Sequence, residues 1–146
     1  MKAGIFLHST SLLDGDYFED AVIFITEYNE QGAIGYVVNR PFPRKFNELE
    51  EFKHSMAFAL YEGGPVDQEH LFFIHQRPDL ISGGTPVANN VFVGGEFKEA
   101  VRLINNKSIT EKDIKLFIGY CGWDVHDLEA EIAEGSWKVS EDGNCF

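Results

Sequence analysis

The feature that most restricts this chain is a pair of apolar, β-forming runs, residues 21–26 (AVIFIT) and 33–38 (AIGYVV), with Asn29-Glu30-Gln31-Gly32 in the polar segment between them. The arrangement predicts a β-hairpin. A loop of four or five residues built on a type I turn needs one position at positive φ, and Gly32 meets that demand without steric cost. Neither run alternates apolar with polar residues, so both faces of the hairpin must be covered by helices or loops. Both runs fall far short of the roughly 20 apolar residues that span a bilayer, so no transmembrane helix is expected. The apolar stretch after Lys2 is too short for the core of a signal peptide, which makes the cytoplasm the expected compartment.

The rest of the chain extends this pattern. Residues 3–7 read as a short strand, followed by turn chemistry at Asp14-Gly15-Asp16. Pro41 confines Arg40 to extended backbone, and Pro43 repeats the restraint. Asn47 and Glu50 have the spacing of a capping box, which predicts a short helix over 47–55 burying Leu49, Phe52 and Met56. Residues 58–61 and 71–75 read as antiparallel strands on either side of Gly63-Gly64-Pro65, and the loop-rich stretch 76–90 has room for one weak strand. Phe97, Ala100, Val101, Leu103 and Ile104 recur at helical spacing and predict a helix over 96–106. Residues 114–120 form another buried strand. Asp124 is the expected cap of a last helix over 125–134, with Trp123 packing on Leu128 as a hydrophobic staple, and 136–139 adds an edge strand. At 146 residues and 44% hydrophobic, the chain fits one domain whose core needs neither disulfide nor metal.

Charge narrows the partners. With 12 basic and 24 acidic side chains the formal charge is −12, which opposes the phosphate backbone and disfavours direct nucleic-acid binding. The only local basic cluster, Arg40, Arg44, Lys45 and Lys53, is interleaved with Glu48, Glu50 and Glu51. Cys121 and Cys145 are the two cysteines, with no C-x-x-C and no zinc-finger spacing, so no structural metal and no cofactor is expected. A disulfide between them is the lesser alternative to two free thiols.

Three segments then stand out together: GAIGYVVNRP (32–41), GGPV (63–66) and GYCGWDVHDLEAEI (119–132) followed by Trp137. In this order and spacing they resemble the YqgE/AlgH family of small bacterial proteins, over essentially the whole chain. Gly4, Leu7, Phe18, Val22, Asn29 and His75 also sit where that pattern has like residues. The resemblance implies a single compact α+β domain with one mixed, largely antiparallel sheet and about three flanking helices. A barrel-like closure of that sheet and a three-layer α/β sandwich are the alternatives. The resemblance implies no established reaction. The family carries the label of transcriptional regulator, a role that the acidic charge opposes if it requires direct DNA contact. Tyr28 stands where many members have His, and Asp127 where many have Gln in the G-W-x-x-x-Q-L segment.

Each candidate site residue has a structural and a functional reading. Arg40, leaving a strand behind Asn39, offers a donor fork suited to a carboxylate or phosphate, or else pairs with an acid such as Glu62 or Asp67. Gly63 and Gly64 either make a tight turn or let a ligand approach the backbone. Both motifs follow strands, so with Gly122 and Trp123 they are expected to line one strand-end cleft for a protein or a small anionic ligand. Gly94-Gly95 ahead of a helix lacks the G-x-G-x-x-G and G-x-x-x-x-G-K-[ST] patterns, and Glu96 opposes a phosphate there. His8 with Ser9, Ser11 and Asp14 has no nucleophile elbow, and His126 with Asp124, Asp127 and Glu129 lacks the i, i+4 spacing of a helical metal pair. The enzymatic alternative places His75 or Cys121 as the chemical group in the same cleft. It requires one of them to meet a second titratable group within hydrogen-bond reach.

Overall fold

The two apolar runs form β2 (Val22–Asn29) and β3 (Gly32–Val37), paired antiparallel as far as Asn29↔Gly32. Glu30 and Gln31 alone make the turn, tighter than the loop expected from sequence, and Gly32 takes φ 136°. Thr26 is the extra residue of a bulge that lets β2 bend. The remaining strands are β1 (Phe6–Ser9), β4 (Leu60–Glu62), β5 (Val66–His75), β6 (Thr85–Ala88), β7 (Val91–Val93), β8 (Ile114–Asp124) and β9 (Trp137–Ser140). Helix α1 spans Phe97–Asn105 and α2 spans Asp127–Ala133. This computed structural model describes every residue from Met1 to Phe146. No helix is long and apolar enough to cross a membrane.

The sheet runs β6-β7-β5-β8-β3-β2-β1-β9, with β4 against β8 as the one parallel pair. β8 is the strand on which everything else is arranged. Its first half, residues 114–118, lies between β4 and β5, and its second half, 121–124, pairs with β3. The change of neighbours falls at Gly119, whose φ of 73° bends the strand in a way a side-chain-bearing residue resists. Three apolar clusters follow from that bend. Ile114, Leu116 and Ile118 pack beneath α1 against Ala100, Leu103, Ile104, Phe46 and Phe73. Cys121 packs with Ile23, Ile25, Ala33, Trp137 and Leu128 of α2. Between the halves, Phe6, Phe24 and Tyr36 meet Ile74, Val91 and Phe117.

The fold is α+β, as the sequence implied, but three details differ. The sheet is open: its edges β6 and β9 are not paired to one another, although Ala88 of β6 touches Gly4 just ahead of β1. It therefore does not close into a barrel. Two α-helices flank it rather than three, because the segment 46–52 folds as two 3-10 turns, Phe46–Glu48 and Glu50–Phe52. Phe46, Leu49 and Phe52 recur every third residue, a spacing that eclipses in a 3-10 helix and spreads over a third of the circumference in an α-helix. All three meet the core, Phe46 fully and the other two partly. Asn47 is not a cap, since its Oδ1 has no hydrogen-bond partner, while Glu48 accepts from the Lys45 amide at 2.8 Å. Asp124 likewise ends β8 instead of capping α2, whose cap position is His126 at φ 70°.

Candidate functional site

Asn39 and Arg40 follow β3, and the structure employs both side chains within the fold. Asn39 Oδ1 accepts from the Val22 amide at 3.0 Å and its Nδ2 donates to the Asp20 carbonyl at 2.8 Å, closing the loop ahead of β2. Arg40 donates from Nη2 to the Glu19 carbonyl at 3.2 Å, lies 3.7 Å from Glu62, and sits over the Tyr17 ring at 4.9 Å. Tyr17 in turn donates its hydroxyl to Glu62 at 2.6 Å. Burial and that carboxylate raise the Tyr17 phenol above its ordinary range. Arg40 therefore has a protein carboxylate as its partner, and the donor fork predicted for a ligand is already engaged.

Gly63 and Gly64 serve close backbone packing. A Cβ on Gly63 would strike the Gly119 carbonyl, and one on Gly64 the carbonyl of Tyr120. Gly63 also bridges strands, donating to the Ile118 carbonyl at 2.8 Å and accepting from the Val37 amide at 2.9 Å. Of the six residues expected to share a cleft, Gly122 and Trp123 line one together, and the other four are not among its walls. It measures about 290 Å³, its walls include Pro65, Val66, Trp123, Asp124, Asp127 and Glu131, and the buried Cys121 also borders it, as the enzymatic alternative expected of that residue. A second depression of about 350 Å³ shares Val66, Gly122, Trp123 and Asp124 with it and also takes in Glu27, Gly32 and Tyr120. Gly122 is exposed and Trp123 half-buried.

Hydrogen bonds to α2 tie this ridge down from below. Glu131 of α2 accepts from both indole N–H groups, Trp137 at 2.9 Å and Trp123 at 3.2 Å. Trp123 and Trp137 also meet edge to face. Tyr28 donates to Glu129, joining β2 to α2 and holding that carboxyl below its usual range. The carboxylates Asp124, Asp127 and Glu131 are not among the cleft residues expected from sequence, although the acid-rich stretch after Trp123 is the signal that could find them. They repel an anion, so a small anionic ligand does not suit this cleft.

The groups required by the enzymatic alternative do not meet. His75 is fully buried between the rings of Phe73 and Phe92, its Nδ1 accepts from the Arg77 amide at 3.1 Å, and its Nε2 is unpartnered against Gly84. Burial lowers its pKa. Cys121 lies in a different cluster with its Sγ donating to the Gly63 carbonyl at 3.3 Å, and burial pushes that thiol up to about 12. Cys145 is a second buried free thiol, so the two form no disulfide. No three of the His, Cys, Asp and Glu side chains gather in an arrangement fit for a metal ion.

Fold and cleft together define an α+β domain whose bent central strand presents an aromatic ridge bordered by carboxylates. The family model described as AlgH-like (DUF179) matches residues 6–144, and the chain belongs to that family. Among its relatives, a UPF0301 protein of Pelodictyon phaeoclathratiforme is 34% identical over 142 residues, covering 97% of this chain and 75% of the relative. One from Bacteroides thetaiotaomicron is 31% identical over 144 residues, covering 98% and 73%. The solution structure of AlgH from Pseudomonas aeruginosa superposes with a TM-score of 0.76 at 26% identity, over 95% of this chain and 76% of that one. A crystal structure of a Corynebacterium diphtheriae protein gives a TM-score of 0.77 at 20% identity, over 96% and 75%, a likeness of fold.

Proposed function

We propose that this domain is a binding module that holds a basic segment of a partner protein across the Gly122-Trp123 ridge. The observation that carries the reading is the composition of the cleft. Trp123, Pro65 and Val66 offer apolar anchorage, while Asp124, Asp127 and Glu131 surround them with negative charge. A Lys- or Arg-containing segment with one apolar anchor matches both properties, and the overall charge of −12 would speed its approach. A regulatory role then means acting through the partner held. Direct DNA binding is disfavoured by the net charge of −12, and within the one local basic cluster Arg40 pairs with Glu62 and Lys53 with Glu50.

The test is titration of an extended Arg/Leu-rich peptide into the wild-type chain and into Asp124→Lys/Asp127→Lys, following tryptophan fluorescence. Both aspartates are exposed, so the double variant is expected to fold, which circular dichroism checks. The expected result is an affinity weaker by at least about tenfold, the effect of removing one well-placed charge pair. Equal affinity in both proteins sinks the reading. A partner from extract that survives the double reversal but is lost with Arg40→Ala returns the site to the Arg40 end.

A further inference from the structure

The segment ahead of β4 and the end of α1 border a groove of about 580 Å³ that shares no wall residue with the Gly122-Trp123 ridge. Met56, Phe58, Ile104 and Ile109 give it an apolar lining, and its volume lies within the range of small-molecule sites. A smaller cavity of about 210 Å³ adjoins it, because Phe58, Glu111 and Lys112 belong to the walls of both.

The charges along these two cavities run against the rest of the molecule. The chain has 24 acidic side chains and 12 basic ones, yet Lys107, Lys112 and Lys115 line the cavities with Glu111 as the single acidic side chain. None of the three lysines takes part in an ion pair. One oxygen of Glu111 is committed to the fold, accepting from the Ala59 amide at 3.2 Å. Two of the lysines hold unfavourable positions. Lys107 closes α1 at φ 65°, left-handed backbone that glycine adopts freely and lysine only at a cost. Lys115 interrupts the most buried stretch of β8 and is only 9% exposed. Its Nζ donates to the Val38 carbonyl at 2.9 Å and stands 4.2 Å from the centre of the Tyr61 ring. Those contacts suit an ammonium but bring no carboxylate, whereas buried lysines are ordinarily paired with one.

We propose that this groove binds an amphipathic anion, an apolar chain ending in a carboxylate. The chain lies along Met56, Phe58, Ile104 and Ile109, and the carboxylate meets Lys112, the lysine common to both cavities. Lys107 adds positive charge from the larger cavity and Lys115 from the smaller. A cationic ligand would meet three like charges here, whereas a carboxylate brings the counter-charge that the fold does not supply. The other large groove, about 560 Å³ beside Phe42, Phe52 and Phe97, sets Glu50, Glu51 and Glu69 against Arg44 and His70, so charge there selects no such ligand.

The experiment titrates sodium decanoate, below its micellar concentration, into the wild-type chain at pH 7.5 by isothermal calorimetry, beside Lys107→Glu/Lys112→Glu and Lys98→Glu/Lys138→Glu. All four lysines are exposed, and the second pair, which lines neither cavity, makes the same change in net charge. Circular dichroism checks that each variant is folded. The expected result is one-to-one binding by the wild type, at least about tenfold weaker in Lys107→Glu/Lys112→Glu and within about twofold of wild type in Lys98→Glu/Lys138→Glu. Absence of decanoate binding by the wild type overturns the proposal on the native protein alone. An equal loss in the two variants, or no loss in either, overturns it as well, since the cavity lysines then have no part of their own.

Discussion

Cys121 shows how position governs the chemistry of a side chain. It is one residue away from the exposed Gly122, yet its thiol points into the α2 cluster and is pushed up to about 12. An ordinary cysteine ionises near 8.5, so at neutral pH the thiolate fraction of Cys121 is lower by about three orders of magnitude or more. Reaction with an aromatic disulfide reagent should be correspondingly slow in buffer and fast in urea, and comparable rates in the two would mean the side chain swings out. Gly64 makes the complementary case for backbone. A methyl group there collides with the Tyr120 carbonyl, a rigid neighbour, so Gly64→Ala is expected to cost about 3 kcal/mol in urea unfolding. Arg40→Ala should cost only about 1 kcal/mol, because its partner Glu62 is itself partly solvated and retains the Tyr17 hydroxyl.

Elements obey the same logic when a local signal competes with packing. The cap of α2 is His126 in left-handed backbone, a conformation that glycine adopts freely. His126→Gly should therefore stabilise the chain by about 1 kcal/mol, read as a higher urea midpoint with unchanged slope; a lower midpoint would show that the imidazole makes a compensating contact. The hairpin and the strand after Ile114 are legible in the sequence through near-continuous apolar runs, and the helix over 96–106 through apolar residues at helical spacing. Residues 47–55 mislead a sequence reading because a capping pattern outweighs the three-residue recurrence of Phe46, Leu49 and Phe52. At the cleft, Gly122 and Trp123 emerge through their motif, but the clamping of Arg40 by Glu62 and Tyr17 depends on residues distant in sequence. Lys115 escapes notice for a related reason: within the buried strand read over 114–120, nothing local shows that the Val38 carbonyl and the Tyr61 ring, both distant in sequence, enclose its side chain.

At the scale of the whole molecule, His75 ties stability to pH. Its folded pKa lies below 6.5 while the unfolded value is near 6.5, so below that pH the unfolded chain binds a proton that the folded chain refuses. Stability is full above about pH 6.5 and falls as pH drops toward the folded pKa, by up to about 1.4 kcal/mol per pH unit. Exposed His70 beside Asp67 has a raised pKa and works weakly in the opposite sense. The difference between wild type and His75→Gln at pH 7.5 and pH 5.5 isolates the buried imidazole; an unchanged difference contradicts this account. The bend at Gly119 carries a wider implication. Because β8 pairs with strands before and after the bend, loss of β8 itself would open both halves of the sheet together. The amides of β8 are therefore expected to be the last to exchange with deuterium, at one common free energy near the value measured in urea, and a markedly lower free energy in one half would show that the halves open separately.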